Sequence, residues 1–153
     1  MFRNQSTVWA ILGSIGLLFL LTSCSVANPS AKLTEQHGLE LRTTYENYKS
    51  VVALALETGD TSQLADVAIG YELDNLAEMT GNKDAKTVAE WWKVEVLSIT
   101  VTEYLTDTAE AVIQERVLGN IARPEKKNVW IVEFQQDDHT WKVSGFESYF
   151  KND

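Results

Sequence analysis

Apolar residues recur at helical spacing in the segment that follows residue 32. From about Leu33 to Glu57 they stand three or four residues apart, which places them on one face of a helix: Leu41, Tyr45, Tyr48, Val52 and Ala55. Gly59 follows, and glycine is a common residue just past the end of a helix. The pattern therefore predicts an amphipathic helix over residues 33–57 that ends at Gly59.

A second helical segment is predicted to follow the first. Three side chains of types that commonly cap helices mark its start: Asp60, Thr61 and Ser62. Its apolar positions fit helical spacing loosely: Leu64, Val67, Ala68, Tyr71, Leu76 and Met79. Gly70 is a weak point in this segment and Gly81 is its expected end. A short third helix is predicted around residues 84–90.

The pattern changes after Trp91 to runs that are rich in β-branched and aromatic residues, which is typical of strands. Four strands are predicted, near residues 92–104, 109–118, 129–135 and 140–149. Turn-forming residues connect them, in two short links and a longer one over residues 119–128, and short links favour antiparallel neighbours. The whole pattern predicts an α+β domain in which two or three N-terminal helices pack on one face of a curved four-stranded antiparallel sheet.

The chain begins with a short basic segment and a long uncharged apolar run. Arg3 is followed by 14 uncharged residues, from Val8 to Leu21, which is the pattern of an export signal. A helix that spans a bilayer needs about 20 apolar residues, so this run is short for a permanent transmembrane anchor. The sequence therefore predicts a signal peptide over residues 1–23.

The apolar run ends in Leu21-Thr22-Ser23-Cys24, which contains the only cysteine of the chain. This stretch resembles the lipobox of bacterial lipoproteins. The resemblance implies that Cys24 receives a diacylglyceryl group, that cleavage occurs before it, and that a fatty acid such as palmitate acylates the new amino group. Ser25 stands where an aspartate would resemble the inner-membrane retention signal, so the resemblance favours the outer membrane in a host with two membranes. The alternative is a conventional signal peptide that is cut near Ala27.

The length of 153 residues leaves room for one folded domain. The predicted organisation is a signal peptide over 1–23, the lipidated cysteine and a short tether over 24–38, and the domain over 39–150. Residues 25–32 are small and polar and include Pro29, which suits a flexible tether. The mature protein is therefore expected at the cell envelope, held outside the cytoplasm by lipid.

The charge balance limits the classes of partner. The chain has 13 Lys and Arg against 22 Asp and Glu, a formal charge of −9, and loss of residues 1–23 removes Arg3 alone and leaves −10. Neutralising phosphates requires clustered basic residues, so nucleic acid is not expected as a partner. The hydrophobic fraction of 44% is enough to build an ordinary core, which excludes wholesale disorder.

Several stretches resemble NTF2-like domains of the cystatin-like α+β type, over about residues 39–149. The matching features are Gly59-Asp60 between helices, Trp92 entering the first long strand, the apolar strands themselves, and the aspartate turn before Trp141-Lys142-Val143. A weaker likeness is to the NTF2-like intermembrane-space domain of cyanobacterial and plastid division proteins. The resemblance implies a sheet that encloses a cone, and it brings no catalytic signature.

Two glutamates are the candidate chemical groups of the predicted sheet. Strand alternation places Glu115 on the same face as Ile113, and Glu133 on the same face as Ile131. If both side chains point into the cone, they could bind a polar ligand or act as a general base. The alternative is that they lie at strand ends or on the outer face, paired with a basic residue such as Lys142.

Aromatic residues concentrate in the predicted sheet and are interpreted mainly as core. The adjacent pair Trp91-Trp92 cannot both face inward if that segment is extended, so one of them is expected to be exposed or to line the mouth of a pocket. Trp91, Trp92, Glu115 and Glu133 are therefore the candidate binding residues.

No metal or cofactor site is predicted. His37 and His139 lie in a helix start and a turn, without a second thiol or histidine nearby, and Asp107 with Asp137-Asp138 lacks the ligand spacing of a calcium loop. The mature chain contains no P-loop, dinucleotide-binding glycine motif, nucleophile elbow or HExxH pair.

The leading functional hypothesis is a non-enzymatic, lipid-anchored domain that binds a protein or a small apolar ligand. The rival hypothesis is an NTF2-like enzyme of the hydrolase, isomerase or dehydratase type, with Glu115 or Glu133 as the base. A third is a structural homodimer, because the resemblance implies sheets that pair through their exposed faces.

Overall fold

The computed structural model describes residues 29–119 and 127–149, with side chains from residue 34 onward. Within these ranges the helices precede the strands. The helices are α1 (Pro29–Thr58), α2 (Leu64–Val67), α3 (Tyr71–Thr80) and α4 (Ala85–Trp92). The strands are β1 (Val94–Tyr104), β2 (Thr108–Val117), β3 (Lys127–Asp137) and β4 (Thr140–Ser148).

The four strands form one antiparallel sheet in the order β1-β2-β3-β4. The turn between β3 and β4 holds Asp138 at φ 46° and His139 at φ 64°, and two consecutive positive φ angles are typical of the two-residue hairpin turns that match strand twist. The α+β class, with helices packed on an open, curved antiparallel sheet, is confirmed.

The core lies between α1 and the inner face of the sheet. The apolar stripe predicted for the first helix is buried, and Leu41, Tyr45, Tyr48 and Val52 have no exposed surface. The sheet contributes the facing side chains: Ala111, Ile113, Val132, Phe134, Trp141 and Val143. Alternate positions of β2 and β3 are therefore buried, as strand alternation predicts.

The second predicted helical segment is two helices, because Gly70 interrupts it. Gly70 has φ 62°, a region that residues with a side chain rarely adopt. The preceding residues pair with the sheet instead, through an isolated bridge from Ala68 to Val143 and a hydrogen bond from the Ile69 amide to the Val143 carbonyl. The described residues therefore form four helices, where the spacing pattern predicted two or three.

Two other boundaries differ from the predictions. Helix α1 begins at Pro29, so residues 29–32 of the predicted flexible tether are helical. Helix α4 extends through Trp92, so Trp91 and Trp92 are helical and Trp92 precedes the first strand. No helix within the described ranges combines the length and the apolar character that crossing a bilayer requires. The predicted signal peptide and Cys24 lie outside the described residues.

Candidate functional site

A cavity of about 800 Å³ lies between helices α3 and α4 and the strands β2 to β4. Its volume is in the range of small-molecule sites, which is about 300–1,000 Å³. Aromatic side chains form much of its wall: Tyr71, Trp91, Trp92, Trp130 and Phe146. In the part of the chain that the structure describes, the polar lining includes the carboxylates of Glu72, Glu115, Glu133 and Glu147 and one ammonium group, that of Lys49.

Glu115 is the centre of a buried polar cluster on the cavity wall. Its side chain on β2 is 1% exposed and accepts hydrogen bonds from three groups. The Tyr45 hydroxyl donates to Oε2 at 2.7 Å, and the Trp130 indole Nε1 donates to Oε1 at 2.8 Å. The Lys49 ammonium lies 3.4 Å from Oε1 and 3.3 Å from Oε2. A buried carboxylate is stable only with such partners, so this cluster fixes the side chain in place.

Lys49 places an ammonium group inside an aromatic enclosure. Its Nζ lies 4.4 Å from the centre of the Trp92 ring, 5.3 Å from that of Tyr45 and 5.6 Å from that of Phe146. These distances are typical of cation–π contacts. Burial lowers the pKa of Lys49, while the nearby charge of Glu115 opposes that shift.

Glu72 on α3 forms a second buried pair with Tyr48 on α1. The side chain of Glu72 is 4% exposed by surface area, and the Tyr48 hydroxyl donates to Oε1. Burial raises the pKa of Glu72, with hydrogen bonds from Tyr48 and Asn75 acting in the opposite direction. The pKa values of Tyr45 and Tyr48 are raised well above the usual tyrosine value. Burial is the main cause, and the carboxylate next to each hydroxyl adds to it. Both tyrosines therefore stay protonated donors.

Comparison with solved structures matches the intermembrane-space region of the chloroplast protein ARC6. The TM-score is 0.44 at 13% sequence identity, over 71% of this chain and 92% of that one. The match agrees with the weak likeness to plastid division proteins in the sequence, and a likeness at this level says nothing about function. No family model and no curated protein matches the chain.

The structure separates the two glutamates that the sequence singled out. Glu115 points inward and is buried, whereas Glu133 is exposed and pairs across strands with Glu110, on the opposite face from the buried Val132. The carboxylate of Glu133 leans over Gly145 at the cavity edge, where a Cβ would stand 3.0 Å from its Oε2. The two carboxylates therefore do not share one buried site.

Both tryptophans of the predicted pair line the cavity, although α4 rather than a strand presents them. Trp91 is 50% exposed at the cavity mouth, and Trp92 is half-buried against the core. The premise of that expectation, an extended segment, was wrong, because both tryptophans belong to a helix.

The remaining polar candidates lie away from this cavity. The His37 ring stacks on Tyr104 at 3.6 Å between centroids, and His139 occupies the β3–β4 turn. Within the described residues, no group of three or more His, Cys, Asp or Glu side chains is arranged to hold a metal ion.

Sequence reasoning missed Tyr45, Lys49 and Glu72 as site residues. The stripe pattern assigns Tyr45 and Tyr48 only to the apolar face of the helix and makes no prediction for Lys49. The spacing of Tyr45 and Lys49, four residues apart, places both on one side of a helix and is the signal that could have found the pair. The position of Glu72 depends on the break at Gly70, which helical spacing does not reveal.

Proposed function

We propose that this chain is a non-enzymatic binding domain of the cell envelope, held by lipid on Cys24, and that it takes a small ligand with an apolar body. The observation that carries the proposal is the cavity of about 800 Å³ with aromatic walls and a fixed polar cluster. Such a combination of apolar wall and few oriented polar groups is typical of ligand sites. The lipobox resemblance supports the anchor.

The hydrogen bonding of Glu115 favours binding over catalysis. A general base must accept a proton from its substrate, but both oxygens of Glu115 already accept from donors of the protein. A substrate would have to displace Lys49, Tyr45 or Trp130 first. The cluster therefore serves as a rigid part of the cavity wall.

Native mass spectrometry of the full-length protein, extracted gently from its own host membrane, tests both parts of the proposal. We expect a chain that begins at Cys24 with two or three acyl chains, together with a retained small molecule. A chain that starts after Cys24 would contradict the anchor. A wild-type chain without any companion molecule would contradict the ligand site.

A pair of tryptophan substitutions locates the retained molecule. Asn128→Trp adds bulk to the cavity lining, next to Glu115 in the sheet register. Gln114→Trp introduces the same aromatic side chain next to Glu115 on β2, where alternation places it on the outer side of the sheet. We expect Asn128→Trp to lose the companion and Gln114→Trp to keep it. Equal retention by both folded variants would place the molecule elsewhere.

One observation favours an enzyme as the second candidate. Glu72 lines the cavity, and burial raises the pKa of its carboxyl group, which is a common property of general acids and bases. An enzyme of the hydrolase, isomerase or dehydratase type would therefore use Glu72 rather than Glu115 or Glu133. Incubation of the purified protein with the extracted companion would then change the mass or structure of that molecule, and Glu72→Gln would abolish the change.

A further inference from the structure

We infer that the cavity selects an organic cation, meaning a ligand with a protonated amine or quaternary ammonium group on an apolar or aromatic body. The inference deepens the proposed ligand-binding function and rests on it. Its basis is the combination of an excess of carboxylates, a wall of aromatic faces, and an ammonium group of the chain itself that already sits in the same surroundings.

The charge of the lining is negative. Among the described residues of the lining, four carboxylates stand against one ammonium group, and that group is paired with Glu115. Three carboxylates then remain, those of Glu72, Glu133 and Glu147. Among the described residues, neither Glu133 nor Glu147 has an ion-pair partner within 4.0 Å. A cationic ligand would gain from this charge, whereas an anion would be repelled.

The aromatic wall suits the same class of ligand. The ring faces carry negative quadrupole potential and attract a cation, most strongly when water is excluded. Trp91 and Tyr71 remain exposed at the mouth, 50% and 79% respectively, so their rings are accessible to an entering molecule. An apolar ligand body would cover these exposed surfaces, which adds a hydrophobic contribution to the charge interaction.

Lys49 is an internal example of the recognition that we infer. Its ammonium group lies 3.3 Å from the nearer Glu115 oxygen and 4.4 Å from the centre of the Trp92 ring. The cavity wall thus already holds an alkylammonium group by a carboxylate and an aromatic face. Glu72 and the carboxylates of Glu133 and Glu147 at the cavity rim, together with the Trp91 ring, offer a carboxylate and an aromatic face to a second cation.

A matched set of three probes tests the charge preference on the full-length chain in zwitterionic phospholipid nanodiscs. 2-Phenylethylammonium carries a positive charge, 2-phenylethanol is neutral, and 3-phenylpropanoate is negative, while their phenyl bodies are alike. Isothermal titration calorimetry, with empty nanodiscs as the reference for lipid partitioning, measures each dissociation constant. We expect the cation to bind at least about tenfold more tightly than the alcohol, and the anion to bind more weakly than either.

Two charge-neutralising variants test whether the cavity itself is responsible. Glu147→Gln removes a charge from the exposed rim, and Glu78→Gln removes one from an exposed position on α3 outside the cavity lining. We expect Glu147→Gln to raise the dissociation constant of the cation about threefold and to leave that of the alcohol unchanged. Glu78→Gln should change neither constant. Raising the salt concentration should weaken the binding of the cation but not that of the other two probes.

The outcomes separate the two proposals. If the alcohol or the anion binds as tightly as the cation, the cation preference is wrong, and binding of small ligands stands. If Glu78→Gln weakens cation binding as much as Glu147→Gln does, the preference reflects the overall charge of the chain, and the assignment of the cation to the cavity is overturned. If none of the three probes binds at millimolar concentration, the cation inference fails; the companion molecule in native mass spectra then decides separately whether the chain binds a ligand.

Discussion

The ion pair between Lys49 and Glu115 places two opposite charges in a largely buried position on the cavity wall. Removing a charged side chain from water costs several kcal/mol, and the attraction of the pair offsets this cost only while both partners are present. The hydrogen bonds from Tyr45 and Trp130 satisfy the remaining capacity of the carboxylate. The stability of the fold should therefore depend on the pair as a unit.

A double-mutant cycle on this pair measures that dependence. Glu115→Gln leaves a buried ammonium without its counterion, and we expect it to lower the free energy of unfolding by about 3 kcal/mol. Lys49→Met should have a similar effect, since it leaves the carboxylate unpaired. The double variant should lose clearly less than the sum of the two single variants. Urea denaturation provides the values, and additivity within about 0.5 kcal/mol would contradict the coupling.

Glu72 should make stability depend on pH in the acidic range. Its pKa is raised in the folded state from the ordinary 4.5, so between 4.5 and the folded pKa the folded state binds more protons than the unfolded state. The contribution of Glu72 to stability is then present at low pH and is lost as pH rises through that window. Glu72→Gln should remove this component from a profile of urea midpoint against pH, while Glu78→Gln, at an exposed position, should retain it. Parallel profiles for the wild type and Glu72→Gln would contradict the prediction.

At the scale of single residues, strand alternation predicted which residues share a face with Glu115, but neither the inner side nor its partners. It grouped Glu115 with Ile113, and both are buried because one face of the sheet meets the helices. It grouped Glu133 with Ile131 in the same way, and alternation does not say which of the two faces is the inner one. The sequence did not predict the burial of Lys49, because a lysine beside an apolar stripe usually extends its ammonium group to solvent.

At the scale of elements, glycines determine where the helices end. Gly59 has φ 78° and its amide donates to the Ala55 carbonyl at 2.7 Å, which closes the end of α1. Gly38 lies within the same helix, and no heavy atom lies within 4 Å of the position that a Cβ would occupy. Replacing glycine by alanine should therefore change the free energy of unfolding in opposite directions at the two positions.

The two alanine variants provide a matched test. Gly59→Ala forces a side chain into the left-handed region and should lower the free energy of unfolding by about 1 kcal/mol. Gly38→Ala reduces the freedom of the unfolded chain and should raise it by about 0.5–1 kcal/mol. Thermal unfolding followed by circular dichroism measures both. Changes of the same sign at the two positions would show that backbone conformation is not the cause.

The types of the elements were predictable, and their exact ends were less so. The period of the stripe in α1 and the β-branched runs of the strands are strong local signals. The end of α4 depends on tertiary contact, because Trp92 packs in the core with its ring 5.7 Å from that of Tyr48. Such a contact extends a helix beyond the point where the local sequence changes character.

At the scale of the whole molecule, the anchor and the domain are expected to be separable. Cys24→Ala removes the lipid acceptor and changes no residue of the described ranges. We expect this variant to leave the membrane fraction, while Ser25→Ala stays there, because several acyl chains are needed for stable anchoring. Fractionation of host cells with detection of the protein measures the distribution. A Cys24→Ala protein that remains in the membrane fraction would contradict the predicted lipidation.

The arrangement of the sheet was predictable at this scale, whereas the cavity was not. Short connections between β-rich runs leave few alternatives to a meander. The cavity depends on how α3 and α4 sit over the sheet, and their positions follow from the break at Gly70 and from the pairing of Ile69 with β4. These are long-range contacts that hydrophobic periodicity does not encode.

The sequential order of the strands has a consequence for how a newly made chain acquires its structure. Chains are synthesised from the N-terminus, so the apolar stripe of α1 emerges long before the strand that completes its cover. Trp141 and Val143 of β4, both buried in the core, come from the last nine residues of the sheet. A nascent or truncated chain that stops before Thr140 therefore exposes apolar surface from α1 and leaves β3 as an open edge. We expect such fragments to be degraded rapidly, since proteases act on the unfolded population until the final strand closes the core.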